Sequence, residues 1–178
     1  MTLLRGERVV LRALAIDELD ELIAGRAKVA DMPKDTSPGA RDRLRRRVEN
    51  SGRFADGWLD LAIEVEGRLV GDIDARRWER ATPPGNFEIG LSFFDLADRG
   101  RGYGSEAVSL LTGHLFDAHE AERVQAGTWV ENTAMRRVLE NVGFAFEGIM
   151  RAFMPSVRGR DDYALYAITR ADWSARAG

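Results

Sequence analysis

The chain has 178 residues, enough for one domain with a sizeable core, and carries a net charge of −3 over an ordinary mixture of 44% hydrophobic and 31% charged residues. It contains no cysteine, which excludes disulfides, thiol nucleophiles and thiolate metal sites, and the slightly acidic balance argues against a dedicated nucleic-acid binder. No apolar run reaches the roughly eighteen residues of a membrane span, and Arg5, Glu7 and Arg8 interrupt the stretch that a signal peptide would keep apolar. A cytoplasmic protein with no membrane partner is therefore expected, its residues 1–178 forming one domain.

Val9 to Leu14 reads as a first strand. Asp17 is expected to cap a short amphipathic helix through about Ala27, with Leu19, Leu22 and Ile23 on one face. Two prolines and a glycine make Asp31 to Gly39 a loop. The arginine-rich stretch from Ala40 to Asn50 reads as a charged helix ended by Ser51-Gly52. Trp58 to Val65 and Leu69 to Ile73 flank Glu66-Gly67 as a hairpin. After a break at Thr82-Pro83-Pro84-Gly85, Phe87 to Phe94 forms a fourth strand, apolar enough to be buried on both faces. A helix from Glu106 to His119, a strand from Val124 to Val130 and a helix from Thr133 to Asn141 ended by Gly143 follow. Phe144 to Met154 and Tyr163 to Thr169 complete a mixed sheet with helices on both faces.

The strongest chemical signal is Arg99-Gly100-Arg101-Gly102-Tyr103-Gly104-Ser105-Glu106, which follows a buried strand and opens a helix. Close glycines let the backbone turn several N–H groups toward one point, and the helix N-terminus adds partial positive charge. Phosphate or pyrophosphate binding is the chemistry this favours, with Arg99 and Arg101 as flanking cations. A plain strand-to-helix turn is the simpler reading. The Walker pattern is absent because no lysine lies nearby, and the dinucleotide fingerprint would need glycine where Ser105 stands.

Arg99-x-x-Gly102-x-Gly104 resembles the coenzyme A pyrophosphate loop of the GNAT superfamily of N-acyltransferases. The likeness continues in register through Trp129-Val130-Glu131-Asn132, the helix Arg137 to Phe144, and the strands Phe146 to Arg151 and Asp161 to Tyr166. With Leu11-Arg12 near the start, the whole resembles the RimJ/RimL branch, which contains ribosomal-protein N-terminal acetyltransferases. The resemblance implies an α/β fold: a mixed, mostly antiparallel seven-stranded sheet flanked by about four helices, with strands four and five splayed to hold coenzyme A. It implies acetyl-CoA, or another short acyl-CoA, as donor, an amine as acceptor, no metal, and a fold compatible with a homodimer. The pantetheine arm would pair with backbone groups around Phe93, Phe94 and Leu96 as an added strand. Asn132 would contact the arm, although its place before Thr133 equally suits a helix N-cap.

Amine attack on a thioester needs a neutral amine, a stabilised oxyanion and a proton for the thiolate. A protein α-amino group, with pKa about 7.7–8.0, is neutral for roughly a tenth of molecules at pH 7, whereas lysine is almost never so. On the fourth strand, alternation puts Glu88, Gly90 and Ser92 on one side. Glu88 is the candidate base, an arginine-paired edge carboxylate being the alternative, and a backbone N–H near Ser92 is the candidate oxyanion donor. The tyrosine that many members of the family place after the asparagine is Leu139 here, and the serine common in the RimJ/RimL branch is Met135. Ser92, Tyr163, Tyr166 or water is left as the acid. A catalytically silent acyl-CoA-binding module is the rival reading.

Other groups carry less. His114 and His119, five apart on a predicted helix, are not expected to share a face as a metal pair would. Arg41, Arg43, Arg45, Arg46 and Arg47 read as a solvated face or, through the resemblance, as the rim of an acceptor entrance facing an acidic partner. Trp58, Trp78 and Trp129 read as core or cleft walls.

Overall fold

The computed structural model describes residues 1–29, 37–78, 83–156 and 159–176. In chain order the elements are β1 (Leu4–Arg5), β2 (Val10–Arg12), α1 (Leu19–Lys28), α2 (Ala40–Glu49), β3 (Trp58–Val65), β4 (Arg68–Arg77) and β5 (Asn86–Phe93). Then come α3 (Tyr103–Ala118), β6 (Arg123–Trp129), α4 (Thr133–Val142), β7 (Ala145–Ser156), β8 (Gly159–Thr169) and α5 (Arg170–Arg176). The described residues thus hold eight strands and five helices where seven and four are predicted. The extra strand is two residues long, too short to show alternation. The extra helix follows the last strand with no intervening loop. Most of the predicted loop over 31–39, and Thr82 of the predicted break, lie outside the described residues.

One sheet carries the strands in the order β1-β2-β3-β4-β5-β6-β8-β7. Neighbours run antiparallel except β5 and β6, which are parallel. The β3–β4 hairpin turns on Glu66 and Gly67, both at positive φ (51° and 74°), which matches the right-handed strand twist. Asp17 does not cap a helix. It lies in a 3-10 turn, Ile16–Glu18, and the Glu18 carboxylate takes the Ala15 N–H at 2.8 Å instead.

The two sheet faces differ in chemistry. One carries Leu59, Leu61, Ile63, Ile73, Phe87, Ile89, Val124 and Ile168, closed over by Ala107, Leu111 and Leu115 of α3 and Leu139 of α4. This is the main core, and it supplies most of the apolar burial that drives folding. The other face lies under α1 and α2, where a smaller apolar cluster of Leu19, Leu22, Val48 and Ala62 borders charged residues. Among the described residues no helix is long and apolar enough to cross a membrane.

Strand β5 is buried on both faces in neither half. Phe87 and Ile89 are buried, but Glu88 and everything from Gly90 to Phe93 keep partial exposure. The cause is its second neighbour. The parallel ladder to β6 holds only Asn86↔Arg123, Phe87↔Val124 and Glu88↔Gln125, and then the strands part. The predicted splay between these two strands is therefore present, and the rest of β5 lines an open gap.

Candidate active site

The segment that leads from this gap into α3 is built for a sharp turn. Asp95 accepts the Ala97 N–H at 2.8 Å and starts a 3-10 turn over Leu96–Asp98. Gly100 and Gly102 follow at φ 73° and 84°, a region costly for any residue with a Cβ. The helix begins at Tyr103, so Tyr103, Gly104 and Ser105 form its first turn, three residues earlier than predicted. Gly102 is the N-cap and has no side chain, so no side chain occupies the free N–H groups at this helix start. Arg99, Gly100, Arg101 and Gly102 are exposed around it. From behind, Arg8 straps the turn: Nη1 donates to the Arg101 carbonyl at 2.8 Å and Nε to Glu106 at 3.1 Å. Glu106 also accepts the Arg8 and Val9 N–H groups, fixing the helix start to the sheet.

The backbone along the gap follows from ladder geometry. Trp78 N–H bonds to Asn86 O and Phe94 N–H to Val70 O, so the even-numbered residues of β5 direct their backbone groups to β4. The N–H and C=O groups of Leu91 and Phe93 consequently face the gap. Phe94 is thus committed to β4, and the Leu96 carbonyl accepts the Arg99 N–H at 3.1 Å within the exposed turn. Of the three residues expected to offer backbone to a ligand, Phe93 turns its groups to the gap, while the Phe94 N–H and the Leu96 carbonyl are bonded elsewhere.

Glu88, Gly90 and Ser92 do share one face, opposite Arg76, Asp74 and Asp72 of β4. Glu88 sits where β5 and β6 still pair. It accepts from Gln125 Nε2 at 3.2 Å and Trp78 Nε1 at 3.3 Å and lies 3.5 Å from Arg76. Glu88 thus has an arginine partner, as the alternative reading expected. Ser92 is half-buried beside Asp72. Asn132 caps α4, its Oδ1 accepting the Met135 N–H at 3.1 Å, which leaves its amide NH2 exposed for another partner.

The two tyrosines separate cleanly. Tyr166 lies in the main core, where its hydroxyl accepts from Arg136 at 2.9 Å and donates to Glu140 at 3.0 Å. Tyr163 lies on the other face, its ring 2.6 Å from where a Cβ on Gly127 would stand and edge-on to Trp129 at 5.1 Å. It thus covers the β6 side of the gap. Burial first, and then the charge of Glu88, push its hydroxyl up to about 12, so it stays protonated at neutral pH.

Sequence reasoning missed a charged floor beneath α1 and α2. Asp60, Asp72 and Asp74 project there, and Arg47 and Arg26 reach down from the helices to Asp60 and Asp72. The available signal was an aspartate at alternate positions of an otherwise apolar strand, Asp72-Ile73-Asp74. These pairings also divide the basic run of α2: Arg47 serves the floor and stacks on Trp58 at 4.2 Å, Arg41 pairs with Asp20 at 2.6 Å, and Arg45 and Arg46 are exposed. His114 and His119 do meet, Nε2 to Nε2 at 3.2 Å, because α3 ends at Ala118 and His119 turns back as its C-cap. No cluster of three potential ligand side chains surrounds them or forms elsewhere among the described residues.

Comparison with known proteins agrees with this geometry. The family model described as "Acetyltransferase (GNAT) domain" matches residues 8–145. The chain is 26% identical to the probable N-acetyltransferase YjcK of Bacillus subtilis over 180 residues, covering 96% of this chain and 98% of that protein. Its fold is similar to ribosomal-protein-S5-alanine acetyltransferase from Vibrio fischeri, with TM-score 0.81, 18% identity, and 97% and 99% of the two chains covered. It is similar as well to Mycobacterium smegmatis RimJ, solved in complex with CoA-disulfide, with TM-score 0.74, 24% identity, and 92% and 82% covered. The chain belongs to the GNAT acetyltransferase family.

Proposed function

We propose that the protein is an N-acetyltransferase of the RimJ/RimL type, moving the acetyl group of acetyl-CoA directly onto a primary amine, with a protein N-terminus as the favoured acceptor. The observation that carries this reading is the conjunction of a β5–β6 ladder that stops after three pairs with an uncapped helix start beside the gap. The turn from Arg99 to Ser105 holds the pyrophosphate through backbone N–H groups, and Arg99 and Arg101 supply charge. Phe93 pairs with the pantetheine amides, and Asn132 offers its NH2 group. The likeness to RimJ and to the ribosomal-protein-S5-alanine acetyltransferase supports the branch.

In the transfer, the amine lone pair forms the N–C bond to the thioester carbonyl, whose oxygen becomes an oxyanion facing the Leu91 N–H beside Ser92. Collapse breaks the C–S bond, and its electron pair leaves on sulfur. Tyr163, held neutral, protonates the thiolate, and the proton shed by the new amide nitrogen restores it through water. Glu88 fastens the closed end of the gap and sustains the neutral state of Tyr163.

Coenzyme A at millimolar concentration should raise the melting temperature, because a ligand of the folded state stabilises it. Thiol release from acetyl-CoA should then appear with at least one amine among alanyl, seryl and methionyl tripeptides, spermidine and an aminoglycoside. No thermal shift overturns the reading. A shift without thiol release would make the protein an acyl-CoA-binding module and not an enzyme.

A further inference from the structure

On the charged floor, Asp60 and Asp74 stand directly opposite across the β3–β4 ladder, with Asp72 two residues along β4. Two of the three are matched. Arg47 of α2 donates twice to Asp60, and Arg26 of α1 donates twice to Asp72, at 3.2 and 2.5 Å. Asp74, between them, receives no hydrogen bond or ion pair from any described residue. Its neighbour on β5 is Gly90, and Asp74 Oδ1 lies 3.1 Å from where a Cβ on that glycine would stand. The carboxylate therefore leans over bare backbone toward the flank of β5 that β6 has left. An unmatched carboxylate beside this opening suits a ligand that brings a donor, as an amine does.

We propose that Asp74, in place of Glu88, takes the proton from the acceptor amine, an assignment that rests on the acetyl-transfer reading above. The amine arrives as an ammonium ion, drawn by the floor. One N–H proton passes to Asp74 Oδ1, the freed lone pair attacks the thioester carbon, and Asp74 returns the proton to water after the amide departs. Glu88 is less suited, because it already serves Gln125, Trp78 and Arg76. The groups facing Asp74 are Arg47 from α2, Arg26 from α1, Asp60 from β3 and Asp72 from β4. Burial, opposed by the arginines and reinforced by Asp72 and Asp60, pushes its carboxyl up to about 7, where a proton acceptor works best at neutral pH.

The test uses the amine that the wild-type protein acetylates fastest. Asp74→Asn should lower kcat/KM about 100-fold at pH 7, the loss shrinking toward pH 9 as more amine arrives neutral. The Kd for acetyl-CoA, measured by calorimetry, should stay within about twofold, as expected for a group outside the coenzyme site. Gly90→Ala keeps Asp74 but sets a methyl 3.1 Å from Oδ1, and should slow the same reaction about tenfold at unchanged coenzyme affinity. A loss below about threefold in Asp74→Asn, a loss independent of pH, or a Gly90→Ala enzyme of wild-type rate overturns the assignment. A wild-type protein that binds acetyl-CoA but acetylates no amine overturns the transfer reading itself, which separates the two failures.

Discussion

Replacing Asp74 by asparagine should make the protein more stable at pH 8 while leaving it nearly unchanged at pH 4. The folded chain raises this carboxyl from 3.8 to about 7, so the folded state keeps the proton to higher pH than the unfolded chain does. Wild-type stability from this group is accordingly full below about pH 4 and is lost as pH rises through about 7. At about 1.4 kcal/mol per pH unit, the interval corresponds to a ceiling of about 4 kcal/mol. Asp74 retains partial solvent access, which lowers the expected gain to about 2 kcal/mol. Asparagine has nearly the same shape and no charge to desolvate, so the variant escapes the loss. Urea unfolding of both proteins at pH 4, 6 and 8 isolates the effect, because the pH dependence of every other group cancels in the difference. In a chain of this size a gain of that order raises Tm by roughly 5 °C. Equal or lower stability of the variant at pH 8 would show that the carboxylate is well matched after all, and would refute the reasoning.

Two further outcomes concern the gap and the loop. Gly102→Val forces a β-branched residue to φ 84° with its Cβ 3.0 Å from the Arg8 guanidinium, which should lower stability by about 2 kcal/mol and weaken coenzyme A binding at least tenfold, as read by calorimetry. Normal binding would remove the turn from the coenzyme site. Glu88→Gln should reduce turnover by less than about tenfold across pH 6–9 with coenzyme affinity intact, since the carboxylate fastens the strands and does not accept the substrate proton. A larger loss that fades at high pH would return the base role to Glu88.

Much of the architecture was legible because it is written in local patterns. The alternation of β3 and β4, the Glu66-Gly67 turn and the glycine after α4 each fix their element within a few neighbouring residues. The capping pair that starts α5 was legible too and passed unread. Thr169 and Asp172 exchange bonds, the Asp172 N–H reaching Thr169 Oγ1 at 3.2 Å and the Thr169 N–H reaching Asp172 at 3.1 Å. What sequence could not give was partnership between distant segments. Nothing near Glu88 announces that Arg76 and Gln125 would claim it, and nothing near Asp74 announces that Arg26 and Arg47 would choose its neighbours. Alternation alone puts Tyr163 and Tyr166, three residues apart, on opposite faces, but which of those faces is the core follows only from the register with Trp129 and Ala126.

The single parallel pairing divides the sheet into two antiparallel leaves, β1 to β5 and β6 to β8, seamed by three residue pairs. Within each leaf most strand contacts join segments close in sequence, so each can assemble early, while the seam joins segments on either side of α3. Once closed it is held by only three residue pairs between an eight-residue and a seven-residue strand. Amide hydrogen exchange should report it: Leu91 and Phe93, whose N–H groups face no strand, should exchange orders of magnitude faster than Ile63 or Ile73 in the first leaf. A molecule lodged along that seam would lock the leaves together and turn the fastest-exchanging amides of the central sheet into slow ones.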